Sequence, residues 1–104
     1  MDYRRSFTIL LSSDDKVHRE FIVKNGKLTD FVIQYHSKVK GGWRTILRYD
    51  TSHGYAHKHI YHLKRKNNRK IILSSNADEY SKIYNEAIKH LKNNFDKIKR
   101  NYLL

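Results

Sequence analysis

Four histidines, His53, His57, His59 and His62, fall within a ten-residue window. Arg48, Tyr49 and Asp50 precede them, so the segment reads Arg48-Tyr49-Asp50-Thr51-Ser52-His53-Gly54-Tyr55-Ala56-His57-Lys58-His59. Imidazole titrates near neutrality and can take or give a proton at physiological pH. On a strand, His57, His59 and Tyr61 point to one face, and Lys58, Ile60 and His62 to the other. Residues two apart on a strand have Cα atoms roughly 6–7 Å apart. That separation suits two imidazoles on opposite sides of a phosphorus atom. The chemistry suggested is RNA cleavage by the 2′-hydroxyl, in which one group removes the 2′ proton and another protonates the departing 5′ oxygen. Arg48, with Lys58 or Arg44, would neutralise the developing charge. Tyr49 or Tyr55 would stack on a base or donate from its hydroxyl. The expected catalytic set is therefore Arg48, Tyr49, Asp50, His53, His57 and His59, with no metal and no other cofactor required.

Other readings of the same residues stay open. A histidine-rich strand can be a solvated face of a polar protein. His53, His57 and His59 with Asp50 could also hold zinc or iron, although His-x-His on a strand is not a specific signal. Asp50, the only carboxylate in a basic stretch, could orient His53 or His57 or pair with Arg48 for stability alone. If Ile60 faces the core, His57 and His59 face solvent. The loop between the two strands contains Gly54, which can take a conformation closed to other residues.

Charge gives this cluster its surroundings. The chain carries 22 Lys and Arg against 10 Asp and Glu, a net +12. The surplus is local. Residues 38–70 hold ten basic side chains and Asp50 as their one acid, a net +9, whereas the flanking thirds carry about +1 and +2. A field concentrated in this way points to a polyanion, and phosphate backbones are the commonest one. RNA is the expected partner. Five basic residues crowd the run from Lys64 to Lys70: Lys64, Arg65, Lys66, Arg69 and Lys70. With Arg44 and Lys58 they form the expected nucleic-acid-binding set. The competing reading of the run is a charged hairpin tip that guards a sheet edge. Trp43 is expected to plug the core rather than to stack on bases.

The elements that must position these groups are legible from periodicity. The chain of 104 residues fits one domain. It has no cysteine, which excludes disulfides and cysteine-based zinc sites and favours a reducing compartment. No apolar run is long enough to cross a membrane, and no leader is evident, so a cytoplasmic, membrane-free protein is expected. Asp14-Asp15, Asn25-Gly26, Gly41-Gly42 and Asn67-Asn68 are turn pairs. Between them lie runs of period two, rich in β-branched and aromatic residues. Short turns between neighbours imply a β-meander of about five to six strands, over about 5–74. From about 76 to 102 the period changes. Tyr80, Ile83, Tyr84, Ala87, Ile88, Leu91, Phe95, Ile98 and Tyr102 form one helical face, with Ser75 or Asn76 as cap. The expected fold is α+β, an antiparallel meander packed against one long C-terminal helix.

The string Arg48-Tyr49-Asp50-Thr51-Ser52-His53-Gly54, followed by His57-x-His59, resembles the signature of TumE-type toxins. These are the toxin halves of TumE/TumA toxin–antitoxin pairs. It is similar also to a related uncharacterised prokaryotic family with a strand-rich first half and a C-terminal helix. The resemblance implies a small toxin neutralised by an antitoxin that carries a DNA-binding domain. It supports Arg48, Tyr49, Asp50, His53, Gly54, His57 and His59 as the functional group. It supplies no reaction, so endoribonuclease chemistry stands on the charge and the histidines. A homodimer is among the assemblies open to such a chain.

Overall fold

The computed structural model describes residues 2–64 and 68–104. Six strands follow one another: β1 (Tyr3–Ser12), β2 (Asp15–Lys24), β3 (Lys27–Val39), β4 (Gly42–Asp50), β5 (Ala56–Ile60) and β6 (Arg69–Ser74). They pair in sequence order as one antiparallel sheet, with β1 and β6 at its edges. A helix, α1 (Tyr80–Leu103), closes the chain. This is the α+β meander and helix expected from the sequence.

The turns follow from residues that tolerate a left-handed backbone. Asn25 and Gly26 take φ of 52° and 75°, the geometry of a two-residue type I′ hairpin. The β3–β4 turn uses Lys40 and Gly41, at 52° and 79°. It sits one residue before the expected Gly41-Gly42 pair, and Gly42 opens β4. β5 ends at Ile60 because the chain then leaves the sheet, and the Leu63 amide donates to the Tyr102 carbonyl at the end of α1. Asn67 lies outside the described residues, so the expected turn there is described only from Asn68.

Odd-numbered residues of β3 (Phe31, Ile33, Tyr35, Ser37 and Val39) are buried and face the helix. Opposite them, β4 contributes Leu47 and Tyr49. From α1, Tyr80, Tyr84, Ala87, Ile88, Leu91 and Tyr102 complete the core. These are positions the 3.6-residue period marked, and burying such a stripe is what stabilises a helix in a small domain. Asn76 accepts from the Asp78 amide and starts the short 3-10 turn (Ala77–Glu79) that leads into α1.

A buried carboxylate also lies on the helix side. The Asp15 carboxylate is buried and accepts from Ser12, Tyr35 and Ser37 at 2.6 Å each. Burial pushes its carboxyl up, but those hydrogen bonds outweigh it, and the net shift is downward. Among the described residues, no helix is long and apolar enough to cross a membrane.

The helix covers one side of the sheet. The other side is open, and cross-strand register arranges it in rows, because directly paired residues share a face. One row reads Thr8, His18, Gln34, Arg48, His59, Lys70 across all six strands. The next reads Glu20, Val32, Asp50, His57, Ile72.

Candidate functional site

The histidine segment forms a compact hub whose centre is Asp50. β4 delivers Arg48 and Asp50 to the open face, since residues two apart on a strand share a side. The chain is then pinned by Thr51, which is buried. Its amide donates to the Phe31 carbonyl at 3.2 Å, and its hydroxyl accepts from the Phe31 amide at 3.0 Å. Ser52 folds back so that its amide and hydroxyl reach Asp50 Oδ1 at 3.1 and 2.6 Å, an Asx-type turn. His53 and Gly54 reverse the chain at φ of 68° and 84°. Gly54 takes that conformation without strain, whereas His53 does not. β5 then brings His57 back opposite Asp50 and His59 opposite Arg48.

The resulting contacts are short. Arg48 Nε donates to Asp50 Oδ2 at 2.7 Å. His57 Nε2 lies 2.7 Å from Asp50 Oδ1, and its Nδ1 lies 3.1 Å from the Tyr55 carbonyl. Both ring nitrogens of His57 therefore face acceptors. The ring is 1% exposed and flanked by the rings of Tyr55 and His59, at 5.0 and 4.7 Å between centroids. Burial pushes the Asp50 carboxyl up. The Ser52 hydrogen bonds and the charges of His57 and Arg48 outweigh it, and the carboxylate is held below the usual range.

His59 is the histidine that reaches out. Its side chain is 28% exposed, and its Nε2 stands 3.9 Å from Asp50 Oδ2, beyond hydrogen-bonding distance. Among the described residues its ring has no hydrogen-bond partner. Tyr61 stacks parallel to it at 6.1 Å. Burial, and then the charge of His57, lower its pKa, with Arg48 and Lys70 adding to this and Asp50 opposing it. The imidazole is therefore neutral at pH 7 and able to accept a proton. Lys70 is paired opposite it, and its ammonium donates to the Tyr55 hydroxyl.

Arg48, Asp50, His57 and His59 of the expected set thus come together, and the remainder do not. Tyr49 sits between Arg48 and Asp50 in sequence and so points to the helix side. It is buried there, and burial pushes its phenol up to about 12. Lys58, between His57 and His59, likewise turns to the helix side. Its ammonium lies 5.5 Å from the Tyr49 ring centroid. It lines a cavity of about 200 Å³ with Ile60, His90, Ile98 and Tyr102, and burial lowers its pKa. Arg44, opposite Ser37, and Arg69, opposite Ile60, also belong to the helix side. His53 is exposed on the turn and outside the Asp50 group. His57 and His59 do lie on the side away from the helix, but His57 is buried instead of facing solvent. The pair therefore cannot flank one phosphorus. Of the Lys64–Lys70 run, Lys70 joins the hub and Lys64 is exposed beyond β5, while Arg65 and Lys66 lie outside the described residues.

One residue of the hub carries little signal in the sequence. Ser52 is signalled only by its place two residues after Asp50. Tyr55 was one of two candidate tyrosines, and the structure favours it over Tyr49.

Asp50, His57 and His59 also present one donor atom each within 4.8 Å, a set that suits a divalent transition metal. The Tyr55 carbonyl on His57 Nδ1 matches the usual support of a ligating histidine. Against such an ion stand the Arg48 guanidinium, bonded to Asp50 Oδ2, and the nearby Lys70 ammonium.

Comparison with known proteins places the chain in a family but gives it no activity. Residues 1–104 match the model of a domain of unknown function, DUF7718, and the chain belongs to that family. No curated protein and no solved structure matches it.

Proposed function

We propose that this member of a family of unknown function acts on RNA, as a metal-independent endoribonuclease centred on His59. The observation that carries the reading is the environment of that ring. It is a partly exposed imidazole whose pKa is lowered by burial, held against a buried Asp50–His57 pair and flanked by the cations of Arg48 and Lys70. In the proposed reaction His59 takes the proton of a 2′-hydroxyl as its oxygen bonds to the neighbouring phosphorus. Arg48 and Lys70 neutralise the charge gathering on the phosphoryl oxygens. The bond from phosphorus to the 5′ oxygen breaks, and the Tyr55 hydroxyl, polarised by Lys70, gives that oxygen a proton. The products are a 2′,3′-cyclic phosphate and a 5′-hydroxyl. Asp50 and His57 act as positioning residues.

The likeness of Arg48–His59 to TumE-type toxins supports a toxin role, a cytoplasmic setting and an antitoxin partner with a DNA-binding domain. The test is cleavage of RNA by the purified protein in EDTA. The proposal expects cleavage that His59→Gln abolishes and that a 2′-deoxy linkage resists. Cleavage lost in chelator would return the Asp50, His57 and His59 donors to a metal.

One observation favours a second reading. His57 is buried and committed to two acceptors, which leaves His59 as the one accessible imidazole of the hub. A nucleic-acid-binding module without turnover accounts for that equally. It expects affinity that falls steeply with salt and no cleavage under any condition.

A further inference from the structure

Trp43 stands on the open side of the sheet, where a core plug was expected. It is 40% exposed and is paired opposite Lys38 at the end of β3. The Lys16 ammonium lies 4.1 Å from its ring centroid and that of Lys38 5.3 Å. Between this corner and the hub lies the row Lys16, His36, Thr45, followed by the row that holds His18, Gln34 and Arg48. Two rows of a strand span about 13 Å, a distance that a few extended nucleotides cover.

Charge sets the direction of the path. Glu20 and Asp30 lie at the opposite end of β2 and β3, in a cleft with Thr51 and Ser52. Among the described residues, the paired rows from Arg48 to Trp43 include no carboxylate, and they carry Lys16, Lys38 and three polar imidazole or amide groups, His18, His36 and Gln34. The two ammoniums lie over the indole ring as cation–π partners, so a base that stacks there displaces these long, mobile side chains toward its own phosphates, and every base has a π-face and every nucleotide a phosphate.

We infer that Trp43, with Lys16 and Lys38, is a stacking platform for an unpaired base of a single-stranded RNA whose backbone runs along the open side from the His59 hub. This rests on the RNA reading above and assigns it a substrate class, single-stranded rather than duplex. The two lysines hold the flanking phosphates, and the indole takes a base without regard to its identity.

Trp43 is the only tryptophan, so the intrinsic emission of the full chain reports on the platform directly. The probe is a fluorescein-labelled, 2′-O-methylated oligouridylate, which the proposed chemistry cannot cleave, used as a single strand and as a duplex with its complement. The expected result is quenching of Trp43 emission that tracks the rise in probe anisotropy. Trp43→Leu weakens binding about 5- to 150-fold and leaves the salt slope unchanged, and Trp43→Phe falls between. Lys16→Gln and Lys38→Gln each reduce the slope by about 0.7. The duplex binds more weakly and does not quench. Should Trp43→Leu fail to fold, wild-type emission and Trp43→Phe decide the matter. Tight binding with unmoved emission and wild-type affinity for the Trp43 variants would overturn the platform and leave the RNA reading standing. No binding of either probe by the wild-type protein would overturn both.

Discussion

Asp50 accepts from Arg48, from both the amide and the hydroxyl of Ser52, and faces the His57 ring. Removing one partner from a buried pair strands the other. Asp50→Asn should therefore cost about 3–5 kcal/mol, measured by urea unfolding, whereas His59→Gln should cost less than about 1 kcal/mol because that side chain is partly exposed. The lowered Asp50 pKa has a sign. The contribution of the carboxylate is present above the unfolded value near 3.9 and is lost as pH falls through the lower folded value. Acid titration of the wild type and of Asp50→Asn should show the difference confined to that window. His59 is lowered as well, so it stays neutral below its ordinary 6.5. A reaction that uses it as a base should keep its acid limb below pH 6.5 in a kcat/KM profile. A limb above 6.5 would assign the base elsewhere.

At the level of elements, alternation decides which side chains can meet. Within β4 and β5 it separates Tyr49 from Arg48 and Asp50, and Lys58 from His57 and His59. Tyr49→Phe should accordingly leave cleavage within about twofold of wild type, measured as initial rate, although Tyr49 lies inside the most distinctive string of the sequence. The meander, its turn at Asn25-Gly26 and the helical face from Tyr80 to Tyr102 were legible because they rest on local periodicity and on residues that tolerate positive φ. The same parity rule, which sets Lys58 on the face opposite His57 and His59, applies equally to Tyr49 between Arg48 and Asp50. The burial of His57 was not legible. It depends on the Tyr55 carbonyl and on two neighbouring rings, which only the loop geometry brings together. The exposure of Trp43 was hidden for a related reason, since it follows from the bulge in the β3–β4 register between Tyr35 and His36. On the helix, Leu91 is fully buried. Leu91→Ala should cost about 2–5 kcal/mol, read as a lowered thermal midpoint by circular dichroism.

The whole molecule divides its labour by face. The helix and one side of the sheet bury the apolar core. The other side carries the Asp50 hub, with Arg48, His59 and Lys70 in one row and Lys16, Lys38 and Trp43 at the far corner. Four cations of the basic chain, Arg48, Lys70, Lys16 and Lys38, therefore line that side, whereas Lys58, Arg44 and Arg69 occupy the other. Much of the Arg48–His59 string reads as scaffold: Thr51 pins the loop, Ser52 holds the carboxylate, Gly54 reverses the chain and His57 braces Asp50. The proposed chemistry then rests on His59. The most direct measurement is single-turnover cleavage of single-stranded RNA in EDTA by the wild type and by His59→Gln. The account predicts a cyclic-phosphate product from the wild type and a loss of at least about 100-fold in the variant, with the same unfolding midpoint for both. Equal rates for the two proteins, or no cleavage by the wild type, would contradict it.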